Sequence, residues 1–345
     1  MSKVSFVFRT DVHVADRSPA SWKGDYPSEI WESLEQIGGF ARKYDCEAVL
    51  DGGDYFHVKA PTKNSHSLVA RSALVQASYP CPTFCVEGNH DIKHNNLGTL
   101  SEQPLGVLYE TGVFQLLRDT TFERGGIVVR VVGVPYSMTR TLGDLQSIKK
   151  KDGEYLIAVV HALAGPEPPD HVQEFFGEPV FRYKDLVSEG GPDAWLFGHW
   201  HKDQGIVDIE GTKFVNQGSV SRGALVKENL TRIPKVALLE FTAEGFEVSS
   251  IPLKVAPAQD VFHLERKERQ DREAQTIEAF VDNIQSELKV DEEVSLEDTI
   301  QSLDFSNDVG RLALEYLRAA REGYDLEAPD IVSTSKVDAP NLRSP

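Results

Sequence analysis

The sequence predicts an α/β fold, and three observations carry that expectation. Short β-branched or aromatic runs alternate with amphipathic segments through the first 250 residues, the pattern of a layered α/β domain. Polar residues that can carry chemistry stand directly after several of these runs. The chain's 345 residues, 40% of them apolar, suffice for a real core and about two structural units.

Val4 to Phe8 reads as the first strand. Ser28 follows Pro27 and opens a segment with Ile30, Leu34 and Ile37 on one face, which predicts a capped helix ending near Tyr44. Ala48 to Leu50 is a second buried strand. Val69, Ala70, Ala73, Leu74 and Ala77 give a further helical face, and Thr83 to Val86 a third strand. From Gly126 the pattern turns strand-rich, with runs at Ile127 to Val134, Leu156 to Val160 and Ala194 to Phe197. Gly205 to Glu210 and Lys213 to Asn216 join through Gly211 as a hairpin, and Lys235 to Phe241 with Phe246 to Ile251 as a second.

A first domain is therefore expected over 1–253 and a linker over 254–262, where KVAPAQDVF lacks periodicity. An acidic helical region should follow at 263–324. Ile277, Phe280, Val281 and Ile284 share one helical face, Ser295 with Asp298 resembles a capping box, and Leu312, Leu314, Tyr316 and Leu317 mark a last helix. The tail 325–345 has three prolines and no period, and is expected to be disordered.

Composition excludes several classes. The apolar runs are strand-length, far short of the roughly 20 residues of a membrane span, and the N-terminus lacks the apolar core of a signal peptide. Cys46, Cys81 and Cys85 are odd in number with no CxxC spacing, which fits reduced thiols and a cytoplasmic location. The net charge of −18, of which −10 falls in residues 251–345, argues against a basic nucleic-acid-coating protein. A polyanionic substrate would have to be held by a local site, by metal ions or by a partner.

Five strand ends carry chemistry. Asp11-Val12-His13 follows the first strand, and residues two apart on an extended exit can converge on one cation. Gly52-Gly53-Asp54 sets a carboxylate in a turn where glycine permits close backbone approach, and its two oxygens can bridge two metals. Gly88-Asn89-His90-Asp91 adds an amide oxygen, an imidazole and a carboxylate. His161 follows the strand Leu156 to Val160, and Gly198-His199-Trp200-His201 places two imidazoles on one face. Alone, Asp11 with His13, the Gly-Asp turn and His161 read better as a surface loop, a turn and a core histidine, and only the paired histidines resist that reading, but their order and position together fit a binuclear metal centre at a sheet edge.

The series D-x-H, G-D, G-N-H-D, H and G-H-x-H over residues 11–201 resembles the calcineurin-like metallophosphoesterase superfamily. The resemblance implies a four-layer α/β/β/α sandwich of two mixed sheets flanked by helices, here with a small helical C-terminal region. It implies that Asp11, His13, Asp54 and His201 bind one divalent ion and Asp54, Asn89, His161 and His199 the other, with Asp54 as the bridge. Mn2+ suits this oxygen and imidazole set best, Fe or Zn being alternatives and Mg2+ less suited. His90 would act on the leaving oxygen and Asp91 would orient His90.

Gly53-Asp54-Tyr55-Phe56-His57 with Ala60-Pro61 further resembles a segment of the SbcD-type DNA repair nucleases, as do Gln217-Gly218-Ser219 with Arg222 and Ile251-Pro252-Leu253. That implies an exonuclease role for His57, DNA as substrate, an SbcC-type SMC-like ATPase docked through the C-terminal helices, and a homodimer. The chain departs from those proteins in its short, acidic C-terminal quarter, which leaves a DNA cap reduced or absent. Two further readings remain: a phosphodiesterase or phosphatase for small nucleotides or phosphoproteins, and a non-catalytic assembly subunit. His66, His94, His171 and His263 match no motif position, and Trp22, Lys23 and Asp25 stand in a loop expected to overhang the site.

Overall fold

The computed structural model describes residues 2–169, 172, 173 and 176–265, all within the first of two units into which the chain divides, Met1–Lys267. The helices expected beyond Glu265, the tail 325–345 and His171 lie outside the described residues.

Strands β1 (Val4–Arg9), β2 (Ala48–Asp51), β3 (Thr83–Cys85) and β4 (Phe114–Leu116) run parallel side by side. The second sheet takes β5 (Asp119–Arg124), β6 (Ile127–Val134), β7 (Tyr155–His161), β10 (Ala194–Gly198), β11 (Gly205–Ile209) and β12 (Thr212–Asn216), in the order β11-β12-β10-β7-β6-β5. Its central strands β12, β10, β7 and β6 are parallel, and β5 and β11 pair antiparallel at its edges. β13 (Lys235–Phe241) and β14 (Phe246–Pro252) form a hairpin that extends the first sheet beside β1. The short strands β8 (Leu163–Gly165) and β9 (Val180–Arg182) pair with each other alone.

The period-two alternation of strands decides which side chains meet. Phe6, Phe8 and Leu50 of the first sheet pack against Val129, Val131, Ile157, Val159 and Leu196 of the second in one wholly buried cluster. Val7 and Val49 point the other way, onto α1 (Tyr26–Lys43) and α2 (His66–Ala77). Ala158, Val160, Trp195 and Phe197 cover the outer face of the second sheet with α4 (Leu142–Gln146) and α5 (Tyr183–Leu186). The four layers of the predicted sandwich are thus present. Each large apolar side chain so buried contributes about 1.5–3 kcal/mol, and β1 is buried at all six positions because both of its faces are covered.

The structure departs from the expected elements at particular places. Helix α1 begins at Tyr26, because the Asp25 carboxylate accepts from the Ser28 amide and caps it. Asp25 is therefore a cap, not an overhanging group. Trp22 is buried with its indole donating to the Arg222 carbonyl at 2.9 Å, and the Lys23 amide donates to the Val261 carbonyl, so that loop is sealed onto the core. Val261 and Phe262 are themselves buried there. Strands β4, β8 and β9 and helix α3 (Pro104–Glu110) had no counterpart in the periodicity, three of the four being only three residues long. Among the described residues no helix is long and apolar enough to cross a membrane.

Candidate metal centre

Parallel strands deliver their C-terminal ends to one edge, and the site is assembled there. Asp11 and His13 follow β1, Asp54 follows β2, and Asn89 and His90 follow β3. From the second sheet His161 ends β7, while His199 and His201 follow β10. The sandwich brings the two sets together.

The backbone is bent to do this. Asp11 (φ 53°), His13 (φ 50°), Asp54 (φ 55°) and His199 (φ 89°) are left-handed, a strain of about 1–3 kcal/mol each that clusters where function is built. Amides of Asp11 and His13 donate to the carbonyls of Gly53 and Asp54 at 3.0 and 3.1 Å, tying the two exits together. Gly88 is required here, since a Cβ on it would overlap the Asp54 carboxylate.

One ligand atom from each of Asp11, His13, Asp54 and His201 lies within 4.8 Å of the others, and the same holds for Asp54, His161 and His199. Asp54 belongs to both groups. Asn89 Oδ1 stands 3.3 Å from His161 Nε2, beside the second group. Six of the seven residues expected as ligands thus fall into these two groups, and Asn89 stands beside the second. A third group, His13, His57 and His90, adjoins the first.

The donors fit a pair of divalent cations. His13 Nε2 and His201 Nε2 face each other at 2.9 Å, with Asp11 Oδ1 at 4.0 Å from the first and 3.4 Å from the second. Two imidazole nitrogens and a carboxylate so arranged converge on one point, and a cation at that point accepts all three lone pairs. At the second group the Gly52 carbonyl lies 2.6 Å from His161 Nδ1. A carbonyl only accepts, so Nδ1 donates to it, and Nε2, 3.4 Å from Asp54 Oδ2, is the nitrogen that would face a cation.

Electrostatics follow from the crowding. Burial alone would raise the Asp54 and Asp11 carboxyls, but His161 holds Asp54 well below the usual carboxylate range and His201 brings Asp11 down to about 2. Burial lowers His161, and the Asp54 carboxylate outweighs it, lifting the imidazole to about 9. For Asp91, burial and the Asp54 charge both act upward. Two carboxylates and four imidazoles in such proximity could hold metal ions.

The catalytic candidates separate into two kinds. His57 and His90 stand at the mouth with rings stacked 5.8 Å apart, and His90 Nδ1 donates to the His57 carbonyl at 2.6 Å. Asp91 does not orient His90 as expected. Its buried carboxylate accepts the amides of Asp54 (2.7 Å), Gly88 (2.9 Å) and Tyr55 (3.2 Å), so it builds the turn that presents Asp54. The His90 amide meanwhile donates to Asp54 Oδ1 at 2.7 Å.

Several residues the motifs did not flag support the site. Beneath it, fully buried Arg9 donates to Asp51 (2.7 Å), Tyr79 (2.9 Å) and Gln76 (3.1 Å), and Asp51 accepts the Gly53 amide at 3.0 Å. Tyr136 stands with its ring 5.4 Å from that of His199, at the end of β6 where a polar residue after a strand was a usable signal. Glu178 lies 3.1 Å from His199 Nε2 and comes from a loop with no motif. Burial raises Glu178, but the His199 hydrogen bond brings it below the usual range.

The profile described as calcineurin-like phosphoesterase matches residues 4–203. No curated protein matches the chain. Among solved structures, it is similar to a candidate 5'-nucleotidase from Staphylococcus aureus, at 15% identity and a TM-score of 0.46, covering 79% of this chain and 58% of that one. A dimetal phosphatase from Danio rerio is 12% identical with a TM-score of 0.46, covering 73% and 99%. A purple acid phosphatase from yellow lupin seeds is 14% identical with a TM-score of 0.45, covering 73% and 52%. The chain thus spans little more than half the length of the first and last of these proteins.

Proposed function

The chain belongs to the calcineurin-like phosphoesterase family, and from that premise we propose that it hydrolyses phosphodiester bonds in DNA, as the nuclease partner of an SMC-like ATPase. The coarser activity, metal-dependent hydrolysis of a phosphoester, rests on the family match and the two ligand groups that share Asp54. The observation that carries the finer reading is His57. The segment that resembles DNA repair nucleases sets its imidazole at the mouth, stacked on His90 and 5.5 Å from the ring of His13.

Asp11, His13, Asp54 and His201 would hold one ion, and Asp54, Asn89, His161 and His199 the other. Two such ions, when bound, would lower the pKa of water to give a nucleophile near neutral pH and would neutralise phosphate oxygens. The chain's residues do the rest. His90, its ring fixed through Nδ1, presents Nε2 to the leaving oxygen and supplies the proton there. His57, half-exposed beside it, contacts the phosphate on the leaving side and sets where the strand lies. Asp91 and the Arg9–Asp51 pair keep the Asp54 turn from relaxing. Docking of the ATPase is assigned to 263–324, of which 266–324 lie outside the described residues.

The test is degradation of linear double- and single-stranded DNA in Mn2+ by wild type, His57→Ala and His90→Ala, beside a cyclic-nucleotide control. DNA cleavage by wild type that falls in both variants supports the reading. Cleavage of the cyclic nucleotide with none of DNA selects the small-nucleotide phosphodiesterase instead.

A further inference from the structure

We infer that Glu178 is a positioning residue for the second ion, fixing the tautomer of His199 so that its Nδ1 is the ligand atom; this rests on the metal-dependent reading above. Glu178 Oε2 lies 3.1 Å from His199 Nε2, and the two side chains are only 12% and 8% exposed. A carboxylate only accepts, so Nε2 carries the hydrogen and the lone pair sits on Nδ1. Nε2 is thereby engaged, and Nδ1 is the nitrogen left for the group formed with Asp54 and His161.

The arrangement repeats at the neighbouring ligand. The Gly52 carbonyl holds His161 by Nδ1 and frees Nε2; Glu178 holds His199 by Nε2 and frees Nδ1. The two imidazoles of one ion site are thus oriented by opposite nitrogens, one through backbone and one through a carboxylate. Tyr136 stands beside this pair, its ring 5.4 Å from the His199 ring. His199 also has a left-handed backbone (φ 89°) and an amide that donates to Asp11 of the first ion group, so its main chain is held by a neighbouring ligand and its ring by Glu178. A carboxylate on the outer nitrogen of a metal-binding imidazole raises its basicity as a ligand, and losing it costs about 10–100-fold in metal affinity.

The chelator-stripped full chain is titrated calorimetrically with Mn2+ as wild type, Glu178→Ala and Glu178→Gln, with thermal melting of each apo form. Wild type should take up two ions. In Glu178→Ala the affinity for one of the two ions should fall about 10–100-fold while that for the other and the melting temperature stay unchanged, and Glu178→Gln, whose amide oxygen still accepts from Nε2, should recover most of the loss. A wild-type isotherm in Glu178→Ala overturns the inference, as does an equal loss in both variants with a lowered melting temperature. If wild type takes up no Mn2+, the metal-centre reading itself fails and this inference with it.

Discussion

Asp91 accepts the backbone amide of Asp54 at 2.7 Å, so the carboxylate shared by both ion groups is suspended from a second carboxylate buried behind it. The same Asp91 takes the amides of Gly88 and Tyr55, which joins the exits of β2 and β3. Position at the site is thus enforced one layer below the ligands.

Removing that support should loosen the site without touching a ligand. Asp91→Ala leaves buried amides without acceptors, at about 1–3 kcal/mol for each left unsatisfied. Urea denaturation of the metal-free protein should show the loss, and Mn2+ titration should show weakened binding although all seven ligand candidates remain.

Arg9 and Asp51 form a wholly buried ion pair whose other contacts are Tyr79, Gln76 and the Gly53 amide. Arg9→Met strands the Asp51 carboxylate and should cost about 3–5 kcal/mol, read as a lower urea midpoint. The double variant Arg9→Met with Asp51→Leu should recover part of that loss, because no uncompensated charge then remains buried.

Gly88→Ala tests the turn by shape alone. The added Cβ would overlap the Asp54 carboxylate and amide, so Asp54 must move. Hydrolysis of a small phosphodiester should collapse in this variant, whereas Gly39→Ala should leave it intact, as no atom lies within 4 Å of a Cβ built there.

These supports mark the boundary of what the sequence discloses. Asp11, His13, Asp54, Asn89, His161, His199 and His201 were legible because parallel strands hand their last residues to one edge, and a ligand after a strand leaves a local trace. Asp91 was legible as a residue but not in its role, since its partners are main-chain amides up to 37 residues away. Arg9 read as the first charge after an apolar run; its burial depends on Asp51 from the neighbouring strand and Gln76 and Tyr79 from α2 and its exit. Glu178 left no trace, because it meets His199 only through the folding of a loop across the second sheet. Short strands β4, β8 and β9 were missed because three residues cannot show a period.

Burial pushes the Cys46 thiol up to about 12 and Cys81 up to about 11. Both should resist alkylation in the native protein at pH 8 and react on unfolding. The sign for stability follows: these thiols favour folding fully below about pH 9, their unfolded value, and lose that contribution as pH rises toward 11–12. Urea midpoints should therefore fall between pH 9 and 11, and less so in Cys46→Ala.

The central claim is that Asp54 is shared by two ions that make this chain a phosphoesterase. The most direct measurement is hydrolysis of bis(p-nitrophenyl) phosphate by the purified full chain, with Mn2+, with EDTA, and in Asp54→Asn. The account predicts turnover that requires Mn2+, vanishes in EDTA and is lost in a folded Asp54→Asn protein. Turnover that persists in EDTA, or in Asp54→Asn at the wild-type rate, would contradict it.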